Sequence, residues 1–149
     1  MSNNLQELFL KATFNVFQMM LDISDVTDRP ADSFQHDDNT DISIEVTGDL
    51  AGEVIYHFPD PTSLKMVNIM SGMEMDSVDE FVTSAIAEIA NIISGNVLTL
   101  LAENDLNCDI LPPVLRKADE NKEYAIHTAC CITTSVGDAC LDIRLNPAK

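Results

Sequence analysis

From Phe81 to Ala102 the apolar residues return at every third or fourth position for about six helical turns, and no other stretch constrains the fold as tightly. At ~100° per residue, Val82, Ile86, Ile89, Ile93, Val97 and Leu100 fall in one arc, which must be buried. Such a helix needs a layer to cover it, so the chain is expected to fold around this segment. Ser77, with Glu80 three residues later, forms a capping box in front of it, and the period persists to about Glu103.

The opposite arc holds Ser84, Ala87, Glu88, Asn91, Ser94 and Gly95. A carboxylate and a carboxamide at i and i+3 thus stand among small side chains. An ordinary solvated face would favour Lys, Glu, Arg and Gln, which combine good helix propensity with bulk. A face this bare lets another protein come close. Spacing alone leaves two plainer readings open: the small residues pack against the first helix, or Glu88 and Asn91 are incidental surface residues.

The remaining chain reads as further helices and strands. Leu5, Leu8, Phe9, Ala12, Val16 and Met19 form one helical stripe, and Leu10, Phe14, Phe17 and Leu21 a second, so this helix is expected to be covered on two faces. Arg29 to Asp41 shows no period and reads as an exposed connection. Alternation through Ile42, Ile44 and Val46, a break at Gly48-Asp49 and a run from Glu53 to Phe58 predict an antiparallel hairpin. Asp60-Pro61 opens a helix that ends near Gly72. After the long helix come three strand candidates, Cys108 to Leu115, Tyr124 to Thr134 and Ala139 to Leu145, read as a meander. The fold class is therefore α+β, a mostly antiparallel sheet carrying the long helix and the N-terminal helix, in a single domain over residues 1–149.

A formal charge of −17 disfavours nucleic acid and anionic lipid as partners, because both require clustered Lys and Arg. No apolar run approaches the ~20 residues that span a bilayer, and the N-terminus lacks a signal-peptide pattern, so a cytoplasmic location without membrane insertion is expected. Cys108, Cys130, Cys131 and Cys140 make no C-x-x-C pattern and read as reduced core residues. His36, His57 and His127 are not spaced as local metal ligands and are given structural roles, and no metal site is assigned. Met66, Met70, Met73 and Met75 read as core fillers, and Asn96 as a hydrogen-bonded structural amide toward the buried arc.

The run Ser84-Ala85-Ile86-Ala87-Glu88-Ile89-Ala90-Asn91-Ile92-Ile93-Ser94-Gly95-Asn96 resembles the signature helix of the CheC, FliY and CheX phosphatases: Ser or Asp, three residues, Glu, two residues, Asn. Gly95-Asn96 follows the motif as in CheX proteins, and Pro113 stands roughly where the family pattern has a proline. The likeness extends over most of the chain, through the N-terminal helix with its Met-Leu pair and the Gly48 to Phe58 hairpin, and weakens after Pro113. One copy of the helix and the chain length favour CheX over CheC. Ala87 departs from the Gly of many relatives.

The resemblance implies a phosphatase acting on the aspartyl phosphate of a CheY-type chemotaxis response regulator. Catalytic roles fall to Asn91, whose carboxamide suits the orienting of an attacking water, and to Glu88, which by resemblance pairs with the regulator's lysine. Ser84, Ala87, Ser94 and Gly95 are expected to line the partner-binding surface. No cofactor of its own is implied; Mg2+ is expected in the partner. A homodimer is the implied assembly. The alternative is a non-enzymatic regulator-binding or switch-complex module of the same fold; a small-ligand sensor is a third reading, for which no convergent polar pocket is visible.

Overall fold

A computed structural model describes residues 2–29, 39–74, 76–115 and 123–147. In chain order these form α1 (Ser2–Leu21), β1 (Thr27–Arg29), β2 (Asn39–Gly48), β3 (Leu50–Pro59), α2 (Asp60–Ser71), α3 (Glu80–Ala102), β4 (Cys108–Ile110), β5 (Val114–Leu115), β6 (Ile126–Thr134) and β7 (Gly137–Pro147). The fold is α+β, as expected. The seven strands make one sheet in the order β1-β6-β7-β3-β2-β4, with β5 also on β2, and every pairing is antiparallel.

Period-two alternation decides which side chains meet the helices. Ile42, Ile44 and Val46 of β2, Val54, Tyr56 and Phe58 of β3, and Leu141, Ile143 and Leu145 of β7 share one buried cluster with α1, α2 and α3. All three helices therefore lie on one side of the sheet. Asp41, Ser43, Glu53 and Arg144 point the other way, and they are buried too. There Ser43 donates to Glu53 Oε1 (2.8 Å), Tyr124 donates to Glu53 Oε2 (3.3 Å), and Arg144 donates to Asp142 through Nε (3.2 Å). His57 contacts Asp41 (2.9 Å) and His127 contacts Asp142 (2.9 Å), in keeping with structural roles for these two rings.

Several local readings need correction. The long helix is capped by Asp79, whose side chain accepts from Val82 N (3.0 Å), and not by Ser77; the chain enters the helix two residues later than the S-x-x-E spacing implied. Met19, at 70% exposure, and Phe14 leave their stripes, because the apolar residues α1 turns fully inward are Leu5, Phe9, Ala12, Val16, Phe17 and Leu21. Met66 is a core residue and Met70 packs on the core, but Met73 is exposed beyond the end of α2, where Gly72 adopts a left-handed φ of 74°. Met75 and His36 lie outside the described residues. Of the Arg29 to Asp41 connection, Arg29 closes β1 and Asn39 opens β2, with 30–38 also outside the described residues.

The three final strands are not a meander. Pro112 and Pro113 lack the N–H a ladder needs, so the first candidate breaks into β4 and β5. Both pieces pair with β2, while β6 and β7 pair with each other and β7 goes on to pair with β3. The register also sets the cysteine chemistry. Cys131 and Cys140 are direct partners across β6 and β7 on the polar side of the sheet and form a disulfide, which overturns the reading of four reduced thiols. Cys130, one residue away and therefore on the opposite side, is buried and outside any disulfide, and Cys108 is a half-buried thiol.

Gly52 shows how closely the central strands approach. Its φ is 151°, and a Cβ there would collide with the carbonyl oxygen of Arg144 in β7. Gly52→Ala is expected to lower stability by more than about 2 kcal/mol, read as a shifted urea midpoint at unchanged slope. A midpoint equal to the parent protein's would show that β3 and β7 separate there without cost.

Candidate functional site

The site is one side of α3, and its placement follows from the helix start. Asp79 takes up the Val82 amide, and its own carbonyl accepts from Thr83 N (2.9 Å), so the rotation of the whole helix is set in its first turn. Val82, Ile86, Ile89, Ala90, Ile93 and Val97 are then buried, and Leu100 packs on the core's margin beside the fully buried Leu101. Ser84 and Glu88 are exposed, while Asn91 is half-buried at the surface one turn beyond Glu88. Among the described residues neither Glu88 nor Asn91 engages its side chain in a hydrogen bond or ion pair, so both heads are available to a partner.

Ser94 was expected on this surface and is not part of it. It is 3% exposed, and its hydroxyl lies 2.8 Å from Tyr56 Oη, which rises from β3 on the helix side of the sheet. Ser94 stands about 60° around the helix from Asn91, at the edge of the polar arc, and there the helix already rests on the sheet. Burial pushes the Tyr56 phenol pKa far above its ordinary value, with the bond to Ser94 opposing and Cys130 adding a smaller push upward. The pair is a neutral lock between strand and helix.

Ala87 is half-buried and packs against the hydrophobic cluster, so its methyl leans inward rather than onto the Glu88 surface. Gly95 differs: a Cβ built there meets nothing within 4 Å. Nothing inside the fold requires glycine at this position, although mid-helix glycine costs roughly 0.5–1 kcal/mol relative to alanine. The space it clears lies outside the molecule, on the Glu88 and Asn91 side. Asn96 accepts from Asn15 Nδ2 (3.4 Å), so this structural amide braces α3 against α1.

No group of three His, Cys, Asp or Glu among the described residues could hold a metal ion. A hollow of about 430 Å³ opens on the opposite side of the sheet between Ser43, Glu53, Leu111 and Tyr124, remote from the α3 surface. Periodicity did not reveal that Phe81, at 47% exposure, is left outside the core. The signal was present: it is the one aromatic of the helix and falls outside the apolar arc. By length and composition α3 could cross a membrane, with a mean hydropathy of 1.6, but the arc through Val82 and Val97 is spent on the protein's own core.

Comparison with known proteins gives a consistent result. A family model described as "Chemotaxis phosphatase CheX" matches residues 42–135, more than half of the chain. A curated relative from Thermotoga maritima, "CheY-P phosphatase CheX", is 38% identical over 73 residues, 48% of this chain and 47% of the relative, so the match spans about half the relative's length. Among solved structures, the chemotaxis protein CheX from Vibrio vulnificus superposes with a TM-score of 0.84 at 19% identity, over 98% of this chain and 99% of that one. CheX in the CheX-CheY-BeF3-Mg2+ complex from Borrelia burgdorferi gives 0.73 at 20% identity, over 94% and 96%. At these identities the structural likeness speaks for the fold.

The open space at Gly95 yields a direct test. Gly95→Ala is expected to raise stability by roughly 0.5–1 kcal/mol, measured by chemical denaturation. A loss of stability would mean that an internal contact, and not the outer surface, dictates the glycine.

Proposed function

Because the chain belongs to the CheX family of chemotaxis phosphatases, we propose that it hydrolyses the aspartyl phosphate of a CheY-type response regulator, working from the Glu88 and Asn91 side of α3. The name of the Thermotoga maritima relative and the Borrelia burgdorferi complex support that substrate and that partner. The observation that carries the residue assignment is the pair of unengaged polar heads one turn apart, flanked on the helix by the small Ser84 and Gly95.

Hydrolysis of an acyl phosphate needs a water held in line with the breaking P–O bond, and positioning supplies most of the acceleration. The regulator brings the Mg2+ and a lysine that face the phosphoryl oxygens. Asn91 both donates and accepts hydrogen bonds without adding negative charge, so it orients the water. Glu88 would repel the phosphoryl group on its own; paired with the regulator's lysine it becomes an anchor that fixes how far Asn91 reaches. Ser84 and Gly95 keep the approach clear. The inward lean of Ala87 supports the same approach despite its extra methyl. A cytoplasmic location belongs to this reading.

In a phosphoryl-decay assay with Mg2+, the protein is expected to shorten the lifetime of the phosphorylated regulator. Asn91→Ala should lose that acceleration by about 100-fold while keeping its melting temperature. Binding without any acceleration by the parent protein would instead identify a regulator-binding module of the same fold.

A homodimer is proposed as the assembly, supported by the exposed Val114 and Leu115 of β5 beside exposed Leu111 at the β2 end of the sheet. Light scattering should give twice the chain mass, and Leu115→Asp should halve it. A monomer at about micromolar concentration removes the dimer without touching the phosphatase reading.

A further inference from the structure

Phe81 is the second residue of α3, and its position is not loose. Asp79 caps the helix through Val82 N (3.0 Å), and Val82 takes the inward direction with no exposed area. Phe81, ~100° away around the axis, is thereby turned outward and left 47% exposed. Phe81, Ser84, Glu88 and Gly95 recur along one outward stripe, with Asn91 on its flank. The ring stands about 10 Å along the axis from Glu88, on the far side from Asn91.

The surroundings of the ring are acidic. Asp79 and Glu80 beside it and Glu88 two turns on are all exposed, and α3 carries no Lys, Arg or His. An aromatic held by a capped first turn and framed by carboxylates has the form of a preorganised anchor: apolar in the middle, charged at the rim. Its complement is an apolar recess bordered by basic side chains.

We propose that Phe81 is a docking anchor for the phosphorylated regulator, seating in an apolar, basic-rimmed recess about 10 Å from the lysine that Glu88 engages. This rests on the phosphatase reading and deepens it. Glu88 and Asn91 address features every such regulator must share, the lysine and the phosphoryl group. Phe81 addresses surface beyond them, where regulators are free to differ, and so selects among regulators. It touches neither the water nor the phosphoryl group, so its contribution falls on binding.

The test is a titration of the full chain against a candidate regulator loaded with beryllofluoride and Mg2+, paired with dephosphorylation kinetics. Phe81→Ala should weaken Kd about tenfold and raise KM to match, with the loss carried by KM rather than kcat. Phe81→Tyr, which keeps the ring, should stay within about twofold of the parent protein. Melting curves of both variants check that the fold is kept, and the tyrosine variant separates loss of the ring from loss of structure. Parent protein that binds and accelerates while Phe81→Ala does both equally well overturns the anchor alone. Parent protein that neither binds nor accelerates any regulator overturns the phosphatase reading and the anchor with it.

Discussion

Burial of one side of α3 is the constraint on which the rest of the molecule depends. Ile86, Ile89, Ala90 and Ile93 have no exposed area at all, and each isoleucine so placed contributes about 2 kcal/mol. The helix cannot rotate without dragging these side chains into water. A strand-to-helix hydrogen bond between Tyr56 and Ser94 and an interhelical one from Asn15 to Asn96 grip it from two further directions. Everything useful on the outer side inherits its aim from this grip, in the way that functional groups on rigid elements are placed more precisely than groups on loops.

The electrostatic setting follows from the same helix. α3 carries two glutamates and no basic residue within a chain whose formal charge is −17, so Glu88 looks outward with no cation of its own helix to quiet it. A field of this sign gathers cationic surface from a distance, and salt screens it within about 8–10 Å. The two sides of the sheet divide the remaining work. The helix side is apolar and rigid; the other side buries Glu53 and Arg144 inside a hydrogen-bonded network.

Much of this was legible in the sequence, because the apolar period of 82–100 and the alternation of 42–46 are local signals. The Glu88 and Asn91 pair could be placed on the outward arc by counting alone. What escaped was set by contacts between distant segments. Ser94 lies at the margin of the arc, and only the arrival of Tyr56 from β3 decides its burial. The pairing of Cys131 with Cys140 depends on the register of two strands, a property invisible to spacing patterns. Asp79 outcompeted Ser77 as cap because three candidate residues, Asp76, Ser77 and Asp79, precede the helix, and only the packing of Val82 selects among them.

The strand order carries one more implication. Besides β2, β3 finds its second neighbour not in the next strand of the chain but in β7, with Leu50 opposite Pro147 and His57 opposite Cys140. Before β7 arrives the sheet is in separate pieces, β1 with β6 and β3 with β2, β4 and β5. A ribosome releasing this chain from its beginning delivers α3 after α1, α2, β2 and β3, on which it packs, but well before β7 closes the sheet. The edge of β3 that β7 will pair stays open in the interval, a natural client for a chaperone and a point at which crowded synthesis would favour aggregation.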